Sequence, residues 1–129
     1  MPLDDTGFRK HSEPYGKIER VIDLLATEDR WCKGQLVTKD GRRCIMGAIE
    51  AVRGTDVLVR PVLQAIRQTT ARDFGRIERF NDDPATTHPL VLTVLFQARD
   101  NILSGVVEDQ STTNWWKRPL QRLSALLTA

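Results

Sequence analysis

The stretch that decides the fold is THPLVLTVLFQARDNILSG, residues 87–105. Thr87 can accept hydrogen bonds from the free N–H groups of a helix start, and Pro89 needs no donor in the first turn. The residues that follow are apolar on most sides of a helix, which is typical of a helix at the centre of a domain. Ser104-Gly105 is a stop signal. We therefore predict a central apolar helix over residues 88–104.

Two segments before this helix have the spacing of amphipathic helices. Ile18, Val21, Ile22 and Leu25 recur at helical spacing, which predicts a helix that starts at Ser12 and ends near Arg30. A second helix follows from Ile45 and stops at Gly54. Gly47 and Ala48 are small residues inside this second helix, and the expected compensation is close approach of another backbone.

Two further segments show helical spacing with interruptions. An apolar stripe follows Thr55-Asp56, but Pro61 lies within it and predicts either a kink or a new helix that begins there. Residues 71–80 predict a short helix whose inward residues are Phe74, Ile77 and Phe80. Between the first two helices, the turn residues of WCKGQLVTKDGRR, residues 31–43, predict a loop or one very short hairpin near 35–40.

The whole chain is predicted to be a single all-α domain, a compact bundle of five or six helices around the helix at 88–104. Its 129 residues are typical of one domain. Residues 1–11 are polar and predict a loose arm, residues 12–110 form the body, and residues 111–129 predict a C-terminal amphipathic helix after a short linker.

Composition excludes several classes of protein. The hydrophobic share of 40% and the charged share of 28% are ordinary for a globular domain and exclude a wholly disordered chain. A net charge of +2 is too small to imply nucleic acid by itself. Two cysteines do not make a disulfide scaffold, and acids stand where a signal peptide needs positive charge. We therefore expect a cytoplasmic protein.

Three clusters carry a resemblance to a known family. They are Trp31-x-x-Gly34, then Gly41-Arg42-Arg43-Cys44-x-x-Gly47-Ala48, then Asn81-Asp82-x-Pro84-x-x-Thr87. This combination resembles a family of small bacterial and phage-associated proteins classed only as a domain of unknown function. The resemblance implies a compact helical domain over about residues 15–104. It brings no activity, cofactor or catalytic residue.

Five residues are candidates for a pocket between segments 31–44 and 81–88: Trp31, Cys44, Asn81, Asp82 and His88. Cationic neighbours and a helix start could stabilise a Cys44 thiolate, whereas the simpler interpretation is a small buried side chain beside Gly47. Carboxylate and imidazole groups could hold a metal or act as acid and base. The simpler interpretation is that Asn81 and Asp82 satisfy backbone N–H groups in a tight loop and at the next helix start. Trp31 would then close the core with its N–H bonded to a loop carbonyl.

Two further residue sets are candidate surfaces. One is an arginine stripe that could meet phosphates or could be a solvated face with ion pairs, formed by Arg60, Arg67, Arg72, Arg76 and Arg79. The other lies in the C-terminal segment, where aromatic and cationic residues could dock on the protein's own domain, on a partner or second copy, or on a membrane. It comprises Trp115, Trp116, Lys117, Arg118 and Arg122.

The sequence favours a small interaction or regulatory module that works through its surface. No nucleophile elbow, metal-ligand spacing or phosphate loop occurs, so we expect no cofactor or metal and lean against an enzyme. The expected partner is a second copy or another protein bound by the C-terminal helix, whereas nucleic acid and membrane are less favoured. The alternatives are a small enzyme or ligand-binding protein with the pocket above, and a nucleic-acid binder that uses the arginines.

Overall fold

The computed structural model describes the backbone of residues 2–105, and its side chains from Glu13 onward. The predicted C-terminal helix at 111–129 lies outside the described residues. Within them the chain forms five α-helices and no strand, which confirms the all-α prediction. The helices are α1 (Pro2–Leu24), α2 (Ile45–Ala51), α3 (Thr55–Thr70), α4 (Ile77–Asp82) and α5 (His88–Ser104), with a short 3-10 helix at Glu28–Arg30 between α1 and α2.

Helix α5 is the centre of the bundle, as the sequence predicts. Its inward residues, such as Val94, Leu95 and Ala98, are fully buried, and it packs mainly against α3 and α1. The Thr87 hydroxyl accepts a hydrogen bond from the backbone N–H of Leu90, which caps the start of the helix. At the other end Gly105 adopts a left-handed conformation, with φ of 76°, and ends the helix.

Helix α1 differs from the prediction at both ends. It begins at Pro2, so residues 2–11 continue the helix and are not a loose arm. Pro2 fits a first turn because no N–H is needed there. The helix ends at Leu24 instead of near Arg30, since the chain continues into the 3-10 helix.

Helix α3 runs without interruption through Pro61, so the prediction of a new helix at that residue is wrong. Proline inside a helix costs about 3 kcal/mol because a backbone bond is lost and its ring crowds the preceding turn. Here Pro61 is buried, so its ring packs inside the protein and this packing offsets that cost. Its carbonyl also accepts a hydrogen bond from Asn101 Nδ2 at 3.5 Å.

The predicted helix at 71–80 is shorter in the structure. Ala71 adopts a left-handed conformation with φ of 62°, and Gly75 has φ of 77°. The Asp73 carboxylate accepts a hydrogen bond from Gly75 N at 3.0 Å, a local turn that competes with helix formation. Only Ile77–Asp82 is helical. The predicted inward residues Ile77 and Phe80 are nevertheless buried.

The expectation for the small residues of α2 is confirmed at Gly47. A Cβ atom on Gly47 would lie 1.9 Å from the carbonyl oxygen of Leu36, so the backbone of the 31–44 segment approaches the helix directly. Only glycine leaves room for this contact. The segment itself is a loop with two isolated β-bridges, Trp31 to Arg43 and Val37 to Arg43, in agreement with the prediction of a loop or a very short hairpin.

Candidate functional site

Residues 31–44 form a loop whose two halves are joined by backbone hydrogen bonds, and we call it the 31–44 loop. Cys32 N donates to Arg43 O at 3.0 Å, and Thr38 N donates to Arg42 O at 2.8 Å. Gly34 and Gly41 adopt left-handed conformations, with φ of 84° and 94°, which allow the chain to reverse direction at both places. The loop therefore has one defined backbone path although it contains no regular secondary structure.

Asn81, at the end of α4, joins this loop to the body of the domain. Its side-chain oxygen accepts hydrogen bonds from Trp31 Nε1 at 2.8 Å and from Ile45 N at 3.0 Å. Its amide nitrogen donates to Cys32 O at 3.1 Å and to Asp82 Oδ1 at 2.9 Å. The side chain is completely buried, and all four of its hydrogen-bonding positions are used.

Two neighbours of Asn81 extend the contact between α4 and the loop. Asp82 Oδ1 also accepts a hydrogen bond from Gly34 N at 3.0 Å. Lys33 Nζ donates to Asp83 O at 2.7 Å and lies 5.6 Å from the centre of the Trp31 ring. Sequence reasoning did not select Lys33, because a lysine in a loop carries no spacing signal that points to a partner 50 positions away.

His88 lies beside Trp31. The two ring centres are 6.0 Å apart, and His88 is buried. Its Nε2 atom lies 2.7 Å from Leu25 O. Because a carbonyl oxygen can only accept, Nε2 carries the hydrogen in this bond. His88 thus ties the start of α5 to the end of the first helix.

Cys44 is the N-cap residue of α2. Its Sγ accepts a hydrogen bond from Gly47 N at 3.3 Å. Burial raises the pKa of the Cys44 thiol and outweighs the two backbone N–H groups that favour the thiolate. Burial also raises the pKa of the Cys32 thiol, against the opposing charge of Arg42. Both cysteines are free, and this environment favours the neutral thiol and therefore disfavours a nucleophilic role.

The structure brings together all five candidate pocket residues. Trp31 contacts both Asn81 and His88. Asn81 also bonds to Asp82 and to the start of α2, beside Cys44. Their polar atoms are mostly bonded to one another or to backbone groups. This arrangement agrees with the simpler interpretation in the kind of bond but not in the partners. The Trp31 N–H donates to the Asn81 side chain instead of a loop carbonyl. Asn81 and Asp82 accept from Ile45 N and Gly34 N instead of from the start of α5. A role for them in ligand binding or catalysis stays a prediction.

The arginine stripe does not form as the spacing predicts. Arg72 and Arg76 precede α4, so they do not share a helical face with Arg79. The turn around Gly75 is the physical reason, because it breaks the helical register. Arg72 lies 4.4 Å from the centre of the Phe74 ring and pairs with Asp83 at 3.8 Å.

Some of the remaining candidate residues are exposed, and the others lie outside the described residues. Arg60 and Arg67 are exposed and lie two turns apart on α3. The C-terminal candidates, Trp115, Trp116, Lys117, Arg118 and Arg122, all lie outside the described residues. Among the residues that the structure describes, no three His, Cys, Asp or Glu side chains are grouped to hold a metal ion.

The outer side of the 31–44 loop exposes two adjacent apolar side chains. Leu36 and Val37 are each 44% exposed. Cationic residues accompany them in the loop, including the exposed Lys39 and Arg42. The Thr38 hydroxyl bonds to Asp40 and, with Arg42, holds the pKa of that carboxyl below its usual range. The sequence contained only a weak signal for this surface, an apolar pair within an otherwise polar loop.

The fold and the site together define a small helical domain in which a buried amide fastens a long ordered loop. Residues 10–101 match a family described as a family of unknown function (DUF6197), and the chain belongs to that family. This confirms the family resemblance found in the sequence. No curated protein and no solved structure matches the chain. Within residues 2–105, no helix is both long enough and apolar enough to span a membrane.

Proposed function

We propose that this protein is a protein-interaction module and that the outer side of the 31–44 loop is its binding surface. The observation that carries the proposal is the exposure of Leu36 and Val37 on a loop whose backbone is fixed from both ends. Single exposed apolar residues are ordinary on protein surfaces. Two adjacent ones on an ordered loop offer apolar contact with little further ordering cost when a partner binds.

The charge of the loop indicates the chemistry of the partner. The loop contains four cationic residues and one acidic residue, Asp40. Arg42 pairs with Asp40 at 3.4 Å, which leaves the net charge of the loop positive. A complementary partner is an acidic protein segment that presents an apolar side chain to Leu36 and Val37.

We also propose that the module works in the cytoplasm. Cys32 and Cys44 are both buried and free in the structure. Their thiols are part of the packing around α2 and the 31–44 loop, and a reducing compartment preserves them in this form.

The alternative of a pocket between segments 31–44 and 81–88 has less support. These segments contact each other directly, and the Asn81 amide is fully occupied by the protein's own groups. The nucleic-acid alternative loses the arginine stripe on which it depended, since Arg72 and Arg76 are not helical.

Selection of displayed random peptides on the full-length protein tests the proposal. We expect enriched peptides rich in Asp and Glu with an apolar residue, and binding that weakens as salt rises. Fluorescence anisotropy of one enriched peptide then compares three proteins. The double variant Leu36→Ser/Val37→Ser should bind at least about tenfold more weakly, which corresponds to 1.4 kcal/mol. Ala26→Ser, a control at an exposed apolar position outside the loop, should bind as the wild type does.

Two outcomes contradict the proposal. One is that no peptide enriches above the level found with the double variant. The other is that a single-stranded oligonucleotide binds through Leu36 and Val37 while acidic peptides do not, which assigns the loop to nucleic acid.

A further inference from the structure

Helix α5 exposes one stripe that its role as the central helix does not explain. Phe96 is 41% exposed and Leu103 is 57% exposed, and Asp100 between them is also exposed. These positions are four and three residues apart, so they share one face of the helix. Arg99 lies beside the stripe, with its guanidinium 5.1 Å from the centre of the Phe96 ring. We call Phe96, Asp100 and Leu103 the outer face of α5.

The chain that follows α5 has a complementary pattern. Twenty-four residues, 106–129, come after Gly105. Within them Trp116, Leu120, Leu123 and Leu127 recur at helical spacing and would lie on one face of a helix. No acidic residue follows Asp109, whereas three cationic residues do: Lys117, Arg118 and Arg122. Apolar residues can thus meet Phe96 and Leu103, and cations can meet Asp100.

The position and length of the segment allow it to reach this face. Gly105 adopts a left-handed conformation and ends α5. The nine residues 106–114 can span up to about 30 Å when extended. Phe96 and Leu103 are only about 10 Å apart along the helix. The chain therefore has enough length to return along α5 in the antiparallel direction.

We propose that residues 115–127 pack as an antiparallel helix on the outer face of α5 in the same molecule. The short connection favours the segment over a second copy, because its effective concentration at the outer face is on the order of millimolar. The proposal is independent of the 31–44 loop. It assigns the cationic tryptophan-containing segment to the protein's own domain.

Limited proteolysis of the full-length protein tests this proposal. Trypsin cuts after Lys117 and Arg122, and mass spectrometry identifies the fragments. A packed segment is cut only when it opens, so the rate reports the population of the open form. We expect Phe96→Ser/Leu103→Asp to speed cleavage at Arg122 at least about tenfold. Trp116→Ser should speed the same cleavage from the other side of the contact.

Leu36→Asp is the matched control, because Leu36 is an equally exposed apolar side chain far from α5 in sequence. It should leave cleavage at Arg122 unchanged. Light scattering should show a monomer for all four proteins. The proposal is contradicted if Arg122 is cleaved at the same rate in the wild type, in Phe96→Ser/Leu103→Asp and in Trp116→Ser. Protection that disappears on dilution, together with the mass of a dimer, also contradicts it and assigns the segment to a second copy.

Discussion

The apolar core around α5 and the contact between α4 and the 31–44 loop are built in different ways. In the core, α5 packs on α1 and α3 through fully buried aliphatic side chains such as Ile18, Val62 and Leu95. At the loop, polar atoms of Asn81 and Asp82 bind backbone groups far away in sequence. Apolar packing tolerates many side chains of similar volume, whereas hydrogen bonds require one side chain in one place. The loop region therefore depends more strongly on single residues.

Two buried asparagines show the same difference on a smaller scale. Asn81 binds the backbone at Ile45 and Cys32, which cannot move away without moving the chain. Asn101, in α5, bonds mainly to side chains, accepting from Gln97 Nε2 at 3.1 Å and donating to Gln68 Oε1 at 2.8 Å. The glutamine side chains can turn to water when their partner is lost.

The largest effect is expected from Asn81→Leu. The buried N–H of Ile45 and the partly buried N–H of Trp31 would lose their acceptor, so we expect a loss of about 4 kcal/mol in the free energy of unfolding. Urea denaturation followed by circular dichroism measures it. Asn101→Leu is the control, with an expected loss of about 1 kcal/mol because its glutamine partners can be solvated. Equal losses in the two variants would contradict the difference drawn between the two regions.

A smaller loss is expected from Gly47→Ala. The new Cβ would collide with Leu36 O, so the loop must move away from α2 at a cost of about 3 kcal/mol. Gly16→Ala is the matched control, since Gly16 is also inside a helix but nothing lies within 4 Å of its Cβ position. We expect Gly16→Ala to gain up to about 1 kcal/mol.

Hydrogen exchange can locate the effect of Gly47→Ala. The amides of the 31–44 loop should lose protection while those in the middle of α5 keep most of it, because the collision lies at the loop. Uniform loss of protection over both regions would show that loop and core open as one unit.

A change at the start of α5 is expected to cause a smaller loss of stability. Thr87→Ala removes the hydroxyl that accepts from Leu90 N, and we expect a loss of about 1 kcal/mol in the free energy of unfolding. Thr87→Ser keeps an accepting hydroxyl and should stay close to the wild type. A Thr87→Ser variant as unstable as Thr87→Ala would contradict a capping role.

The smallest effect concerns the ionisation of Cys44. Burial raises its pKa in the folded protein above the ordinary value of 9.0. The unfolded chain therefore releases the thiol proton at lower pH, so this contribution to stability is present below about pH 9 and is lost as pH rises further. Unfolding measured from pH 7 to pH 10 should show a steeper decline for the wild type than for Cys44→Ser. Parallel curves for the two proteins would contradict this assignment.

Much of the bundle could be predicted because its signals are local. The apolar residues, the Thr87 cap and the Gly105 stop all lie within or beside α5, and each acts over one or two helical turns. Gly47 could be interpreted for a similar reason, since a glycine inside a helix needs a compensating contact. The partner in that contact, Leu36 O, had no such signal.

Helical periodicity predicts the wrong local structure where distant or competing contacts override it. The period over residues 71–80 could not show that the Asp73 turn and Gly75 would replace the first half of that helix. Pro61 indicated a break, but burial of its ring keeps α3 continuous. The sequence indicates which residues belong to the candidate site, but it does not show which atoms they bind.

The sequence by itself determined the fold class, the central position of α5, and most of the residues that face inward. Helical periodicity carries that information because hydrophobic burial depends on which face of a helix a residue occupies. Only the tertiary structure decided that Asn81 holds Trp31 and Ile45, which lie 50 and 36 positions away from it. A hydrogen bond between residues so far apart leaves no periodic trace in the chain. It exists only after folding has brought donor and acceptor within about 3 Å of each other.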